Sequence, residues 1–352
     1  LYGEKQTLIA FLISAAISLL LGLLPKLFLK PKTHVIYAKE GFIIVAFTWI
    51  MLSLVGAVPL VLAGAVTSYA DAFFEIVSGF TTTGSSVIPD VEALTHGVLF
   101  WRSFTHWGGG MGIIVFVMAI LPNVSERPIH ILRAEIPGPT VGKLVPRIKD
   151  TALILYLIYI GMTVIETIML LFGGMSFFES LLHAFGTAGT GGFGIKRDSI
   201  AGYSPYIQWV ITAFMILFGI NFNLYYLMLL KKFKAVVTST EIWAYLGIIA
   251  SSVAVISWNI RHLFVGAEET VRAAAFQVSS IISTTGYATT DFNLWPNLSK
   301  NILLILMFIG GCAGSTAGGI KVSRIVLLFK LISNEVKRML HPRSVSSLRF
   351  EG

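Results

Sequence analysis

The chain has 352 residues, of which 55% are hydrophobic and 12% charged, and a formal net charge of +8. Soluble domains carry about 25% charged residues. Half that fraction at this length excludes an ordinary globular protein, a disordered chain and a nucleic-acid-binding domain, and makes the bilayer the solvent for the apolar surface.

A helix needs roughly 20 apolar residues to cross a membrane. Stretches of that kind lie at 7–29, 41–63, 98–121, 150–173, 207–230, 241–260 and 302–332, so seven spans are predicted. Three shorter apolar segments, 70–80, 176–187 and 268–282, are too short to cross. Each runs into a stretch rich in Gly, Thr and Ser, as a re-entrant helix would.

The basic residues set the orientation. Lys26, Lys30, Lys32 and Lys39 follow the first span, and Arg127, Arg133, Lys143, Arg147 and Lys149 follow the third. Lys231, Lys232 and Lys234 follow the fifth, and Lys330, Lys337, Arg338, Arg343 and Arg349 the last, making 17 of the 26 Lys and Arg. Segment 64–100 holds no Lys or Arg and carries Asp71, Glu75, Asp90 and Glu92. The positive-inside rule puts the 17 on the cytoplasmic side and brings the short helices in from outside. The charge is thus a topology signal rather than a nucleic-acid footprint, with anionic lipid headgroups as its contacts.

The sequence also repeats. The unit is a span, a short helix, a Gly/Thr segment and a second span. Aligned on Thr-Gly, the segments bring together Gly84, Gly191 and Gly286, and an acidic or amide residue precedes each, Glu75, Glu179 and Gln277. The predicted boundaries are a preliminary helix and linker at 1–39, then repeats at 40–148, 149–238 and 239–352.

Irregular backbone at membrane depth is tolerated only where it is buried in protein or lines a cavity. Such strands can turn carbonyl and Thr hydroxyl oxygens toward one axis and replace the water shell of a monovalent cation. The candidate ligands are Thr82, Thr83, Gly84, Gly189, Thr190, Gly191, Thr284, Thr285 and Gly286. The short helices would aim their partly negative C-terminal ends at the cation, and the acidic outer loops would concentrate cations. The rival reading is that these turns merely cap interfacial helices; three copies in phase with topology and charge weigh against it.

Residues 81–84 (Thr-Thr-Thr-Gly), 190–193 (Thr-Gly-Gly-Phe), 283–286 (Ser-Thr-Thr-Gly) and 310–322, a glycine-rich run ending Gly-Ile-Lys-Val, together resemble the TrkH/KtrB superfamily of potassium uptake proteins. The extra span at 7–29 and Trp-Gly-Gly-Gly-Met-Gly at 107–112 are more similar to its TrkH branch. The resemblance implies an all-α membrane protein of the bacterial or archaeal inner membrane. It implies M1–P–M2 units around a pseudo-fourfold pore, with K+ bound at the filter and no other metal or cofactor. It further implies a homodimer and a cytoplasmic TrkA-like nucleotide-binding ring as partner. Three of four repeats are present here, so the chain reads as truncated at both ends.

The last predicted span is interrupted by Gly310, Gly311, Gly314, Gly318 and Gly319, with Ser315 and Thr316 between them. Each glycine costs a helix roughly 1 kcal/mol relative to Ala. An unwound loop fits better than a GxxxG packing face, and broken helices at midplane mark ion paths; the resemblance makes this loop the gate. Lys321 and Arg324 lie just inside it, able to repel cations, to meet the regulatory ring or to snorkel to headgroups.

Asn221 and Asn223 read as glue between helices rather than pore lining. Glu166, inside the fourth span, reads equally as a proton or cation site and as half of a pair. Arg102 and His106 read as interfacial anchors. The lone Cys312 excludes a disulfide framework, the histidines lack metal-motif spacing, and no catalytic set points to an enzyme. The expected function is potassium uptake through a pore. The alternatives are a proton- or sodium-coupled symporter, and a non-conducting scaffold or receptor.

Overall fold

A peptide in hydrocarbon must satisfy its own backbone polar groups, and long runs of Leu, Ile, Phe and Ala do so as helices. The computed structural model describes residues 3–28, 38–112 and 148–340. Among these the chain is helical, with one 3-10 turn at Phe292–Leu294 and a single isolated bridge between Ile309 and Ile320. Lys30, Lys32, the third span beyond 112, most of the basic segment 127–149, and the tail with Arg343 and Arg349 lie outside the described residues. The chain forms two compact units, 1–200 and 201–352.

In the first unit, α1 (Lys5–Phe28) and α2 (Ala38–Leu62) are long enough to cross a bilayer. Their outer faces show Leu12, Leu19, Leu20, Phe42 and Phe47 to the surroundings, as lipid-facing helices do. The short α3 (Tyr69–Phe80) packs between α2 and α4 (His96–Gly110). Ala57, Leu60, Ala72, Ile76, Phe80 and Val98 form the core there. Twelve residues at 1.5 Å rise reach about 18 Å, roughly half-way through the membrane.

α5 (Ile148–Phe172) carries a second short helix, α6 (Phe177–Ala188). A reciprocal cap starts α6: Ser176 Oγ accepts the Glu179 N–H, and Glu179 Oε2 accepts the Ser176 N–H, at 3.2 Å each. Gly109 and Gly110 at the end of α4 serve close approach. A Cβ on Gly109 would overlap the Phe80 carbonyl, and one on Gly110 would sit 2.6 Å from Gly189 Cα. The ends of α3 and α6 therefore both press on this stripe.

The second unit begins with α7 (Pro205–Phe218) and α8 (Phe222–Leu229). The expected span 207–230 is not continuous: the two helices meet at 90°. Asn221, expected to join helices, caps α8 by accepting the Asn223 N–H at 2.9 Å. The bend is stable because the last carbonyls of α7 all find donors. Tyr245 Oη donates to Ile216 O at 3.3 Å and Tyr225 Oη to Leu217 O at 2.6 Å. Thr316 Oγ1 donates to Phe218 O at 3.3 Å, and the Cys312 N–H to Gly219 O at 2.8 Å.

The short α9 (Phe233–Val237) leads to α10 (Thr240–Ile260), which packs on the third short helix, α11 (Ala267–Ile282). After α12 (Asn297–Phe308) the chain unwinds until α13 (Val322–Leu340). Four described helices are long and apolar enough to cross a membrane, and the bent α7–α8 pair makes a fifth. This falls short of seven because α4 is described only in part and 302–332 is broken.

Candidate functional site

The three short helices end in one conformation. Thr81, Gly189 and Ser283 are their C-caps, and the next residue, Thr82, Thr190 or Thr284, is left-handed, with φ of 54°, 52° and 59°. The N–H groups of Thr82, Thr190 and Thr284 donate to Gly79, Thr187 and Ile281 at 3.1, 3.0 and 3.0 Å. Those of Thr83, Gly191 and Thr285 donate to Ser78, Gly186 and Ser280 at 2.9, 3.0 and 2.9 Å. This is the Schellman pattern, which almost always uses Gly at the left-handed position. A β-branched residue there is an outlier, at a cost of about 1–3 kcal/mol. Threonine at that position in all three loops points to a need for its side chain.

Two residues further on, a glycine is again left-handed: Gly84 at 77°, Gly192 at 74° and Gly286 at 87°. The register of the second loop is therefore one residue later than the Thr-Gly alignment implies. Gly192, not Gly191, corresponds to Gly84 and Gly286, and Gly189 corresponds to the C-caps Thr81 and Ser283. The same register matches His183, not Glu179, to Glu75 and Gln277. All three are buried at the same step of their helices, while Glu179 is spent on the cap of α6. Alternation in the sign of φ turns successive carbonyls toward the same side, unlike an ordinary strand.

Some hydroxyls in these loops are already engaged. Thr81 Oγ1 and Thr83 Oγ1 lie 2.8 Å apart, and Ser283 Oγ and Thr285 Oγ1 2.7 Å. Thr190 Oγ1 donates to Gly189 O at 2.7 Å and Thr284 Oγ1 to Ser283 O at 2.6 Å. In the first unit two loops touch directly: a Cβ on Gly84 would overlap the Gly191 carbonyl oxygen.

The unwound stretch runs from Ile309 to Lys321. Its neck is closed by Gly310 N–H to Ile320 O at 3.0 Å and Val322 N–H to Gly311 O at 3.2 Å. Ser315 Oγ donates to Cys312 O at 2.6 Å, and Phe222 N–H to Gly314 O at 3.0 Å. The Gly318 N–H donates to Thr284 Oγ1 at 2.7 Å, tying the stretch to the third Thr-Gly loop. Gly319 is left-handed, at φ 71°. Glu241 Oε1, in the first turn of α10, accepts the N–H groups of Ala313 at 2.7 Å and Ser323 at 3.2 Å. Lys321 does not snorkel: it is 5% exposed, and its ammonium donates to Ala317 O. Arg324 is exposed.

Arg102 and His106 are not interfacial anchors either. Both are buried, Arg102 paired with Glu75 at 2.7 Å and His106 stacked on Phe193 at 4.0 Å. Sequence reading could have found the pair from one signal: two opposite charges in neighbouring apolar segments each need a partner. Glu166 is fully buried, and among the described residues no basic side chain pairs with it.

The acidic segment expected to face outward is partly neutralised. Arg197 Nε donates to Asp90 Oδ1 at 3.0 Å and the Arg197 N–H to Glu92 Oε1 at 3.2 Å. The Arg197 hydrogen bond holds the Asp90 carboxyl below its usual value of 3.8, and the same contact raises the guanidinium. At the start of α1, burial pushes the Glu4 carboxyl up. The backbone N–H groups of Gly97 and His96, together with the His96 ring, pull it net below the usual 4.5.

Apolar helices of membrane length, short buried helices and irregular glycine-rich segments between them define a multi-pass helical membrane protein. The TrkH family model, described as a cation transport protein, matches residues 7–251 and 257–352, and the chain belongs to that family. It is 39% identical over 321 residues to the Trk system potassium uptake protein TrkH of Escherichia coli, covering 89% of this chain and 66% of that one. The chain thus spans just under two thirds of that relative's length. It is 35% identical over 364 residues to the protein of the same name from Halomonas elongata, covering 97% of this chain and 72% of the relative. The crystal structure of the potassium transporter TrkH from Vibrio parahaemolyticus matches with a TM-score of 0.85 and 32% identity, over 98% of this chain and 72% of that one.

Proposed function

We propose that the chain takes part in potassium uptake across a membrane. In this reading the loops at Thr82–Gly84, Thr190–Gly192 and Thr284–Gly286 supply filter oxygens, and Gly189 closes the helix that leads into the second. The observation that carries the reading is the repeated left-handed threonine followed two residues later by a left-handed glycine. A strained residue held in every copy is better explained by ligand geometry than by helix capping, for which Gly costs less. Family membership and the names of the relatives, potassium uptake proteins, support potassium as the ion.

The segments 40–148, 149–238 and 239–352 are then M1–P–M2 units of a pseudo-fourfold pore. The stretch 309–321, with Lys321 buried in it and Arg324 at its inner end, is the gate. A homodimer and a TrkA-like cytoplasmic ring are the partners.

The test uses the full-length protein in proteoliposomes, with Rb+ and Na+ permeability measured together. Gly286→Ser has room for its side chain and is strained only by its φ of 87°, whereas Gly84→Ser also meets the Gly191 carbonyl. Both are expected to change the Rb+/Na+ ratio, Gly84→Ser more. An unchanged ratio in both variants refutes the filter. Rb+ uptake that requires a proton or Na+ gradient identifies a symporter, and no Rb+ flux at all leaves the scaffold.

A further inference from the structure

Charges inside a membrane protein are kept only with partners, and the pair in the first unit is built in detail. Arg102 is 2% exposed and Glu75 fully buried. Glu75 Oε1 accepts from Arg102 Nε and Nη2 at 2.7 Å each and from the Ser86 hydroxyl at 2.9 Å. Glu75 Oε2 accepts the Val87 N–H at 3.0 Å, and Arg102 Nη2 also donates to Ser86 Oγ at 3.1 Å. Ser86 and Val87 belong to the irregular segment that leaves the first loop, just past Gly84.

The flat side of the same guanidinium lies 4.2 Å from the ring centre of Phe193, the residue after Gly192. Phe193 stacks on His106, and its N–H donates to His106 Nδ1 at 3.4 Å. One side chain therefore holds the segment leaving the first loop with its edge and that leaving the second with its face. Between them the two loops are in contact at Gly84 and the Gly191 carbonyl.

We propose that Arg102 and Glu75 are positioning residues that fix the spacing between the first and second loops, and through it the preference for potassium over sodium. This rests on reading those loops as filter segments. Oxygens set for the larger ion keep their spacing only if something behind them resists inward collapse. An arginine does this in a way a lysine cannot, because its rigid fork binds two groups in one plane while its face stacks on a ring. Neither residue touches the ion.

The experiment measures Rb+ and Na+ permeability and thermal stability on the same preparations of full-length protein. Arg102→Lys and Glu75→Gln are expected to lower the Rb+/Na+ ratio about tenfold, the factor that corresponds to 1.4 kcal/mol. Phe193→Leu, which removes only the ring face, is expected to lower it about threefold, within the range of a cation–π contact. Gly84→Ala serves as the filter control. If Gly84→Ala changes the ratio while the other three leave it intact, whatever their stability, the positioning role is overturned and the filter stands. If Gly84→Ala also leaves it intact, the filter reading falls and the positioning role with it. Should Glu75→Gln fail to fold, Arg102→Lys and Phe193→Leu decide.

Discussion

Glu241→Gln tests the broken helix most directly. The buried Glu241 carboxylate accepts two backbone N–H groups, Ala313 within the unwound stretch at 2.7 Å and Ser323 at the start of α13 at 3.2 Å. Hydrogen bonds to a charged group contribute about 1.5–3 kcal/mol and neutral ones about 0.5–1.5, so a side chain of the same shape without charge weakens each by about 1 kcal/mol. Two bonds give about 2 kcal/mol, or roughly a thirtyfold shift toward conformations in which the stretch has let go. Hydrogen exchange at Ala313 and Ser323 should accelerate by that order. If the stretch is the gate, Rb+ uptake by the transporter alone, without a regulatory partner, should rise in parallel. Faster exchange with unchanged uptake refutes the gate; unchanged exchange refutes the role of Glu241 as its anchor.

Gly109→Ala drives a methyl into the Phe80 carbonyl, which overpacks the contact and costs about 1–3 kcal/mol; thermal unfolding in detergent should fall, and an unchanged midpoint would show that the two helix ends can separate freely. The Asp90 carboxyl is held low by Arg197, so its contribution is present above the ordinary Asp value and is lost only as pH falls through the lowered one. The Asp90 carboxyl carbon resonance, followed through an acid titration, should therefore change below the ordinary Asp value. Arg197→Gln, which removes the guanidinium on Asp90 Oδ1, should move that midpoint up toward the ordinary value, and an unmoved midpoint would assign the lowering to another group.

The short helices and the break at 309–321 were legible in sequence because both depend on composition: runs too short to cross, and five glycines in ten residues. The break at Gly219–Asn221 was not. Phe-Gly-Ile-Asn within an apolar run reads as continuous helix, and what stabilises the bend is supplied from far away in sequence, by Tyr245, Thr316 and Cys312. The register of the second loop was hidden for another reason. In Thr190-Gly191-Gly192 either glycine satisfies a Thr-Gly match, and only the backbone angles say which one is left-handed. A lysine at the end of an apolar stretch usually reaches for water, whereas the Lys321 ammonium is taken by the carbonyl of the buried Ala317. Arg102 and Glu75 lie in different segments, and only a pairing rule across segments joins them.

The bend between α7 and α8 has a mechanical consequence. Two of the four carbonyls at the end of α7 are satisfied by Cys312 and Thr316, and Gly314 in turn receives the Phe222 N–H. In an oily medium, bare peptide groups have no water to fall back on. The unwound stretch therefore cannot peel away by itself without stranding polar atoms on both sides. Whatever pulls it must bring the elbow along as one lever, so a force applied to α8 or to α13 is felt at the other.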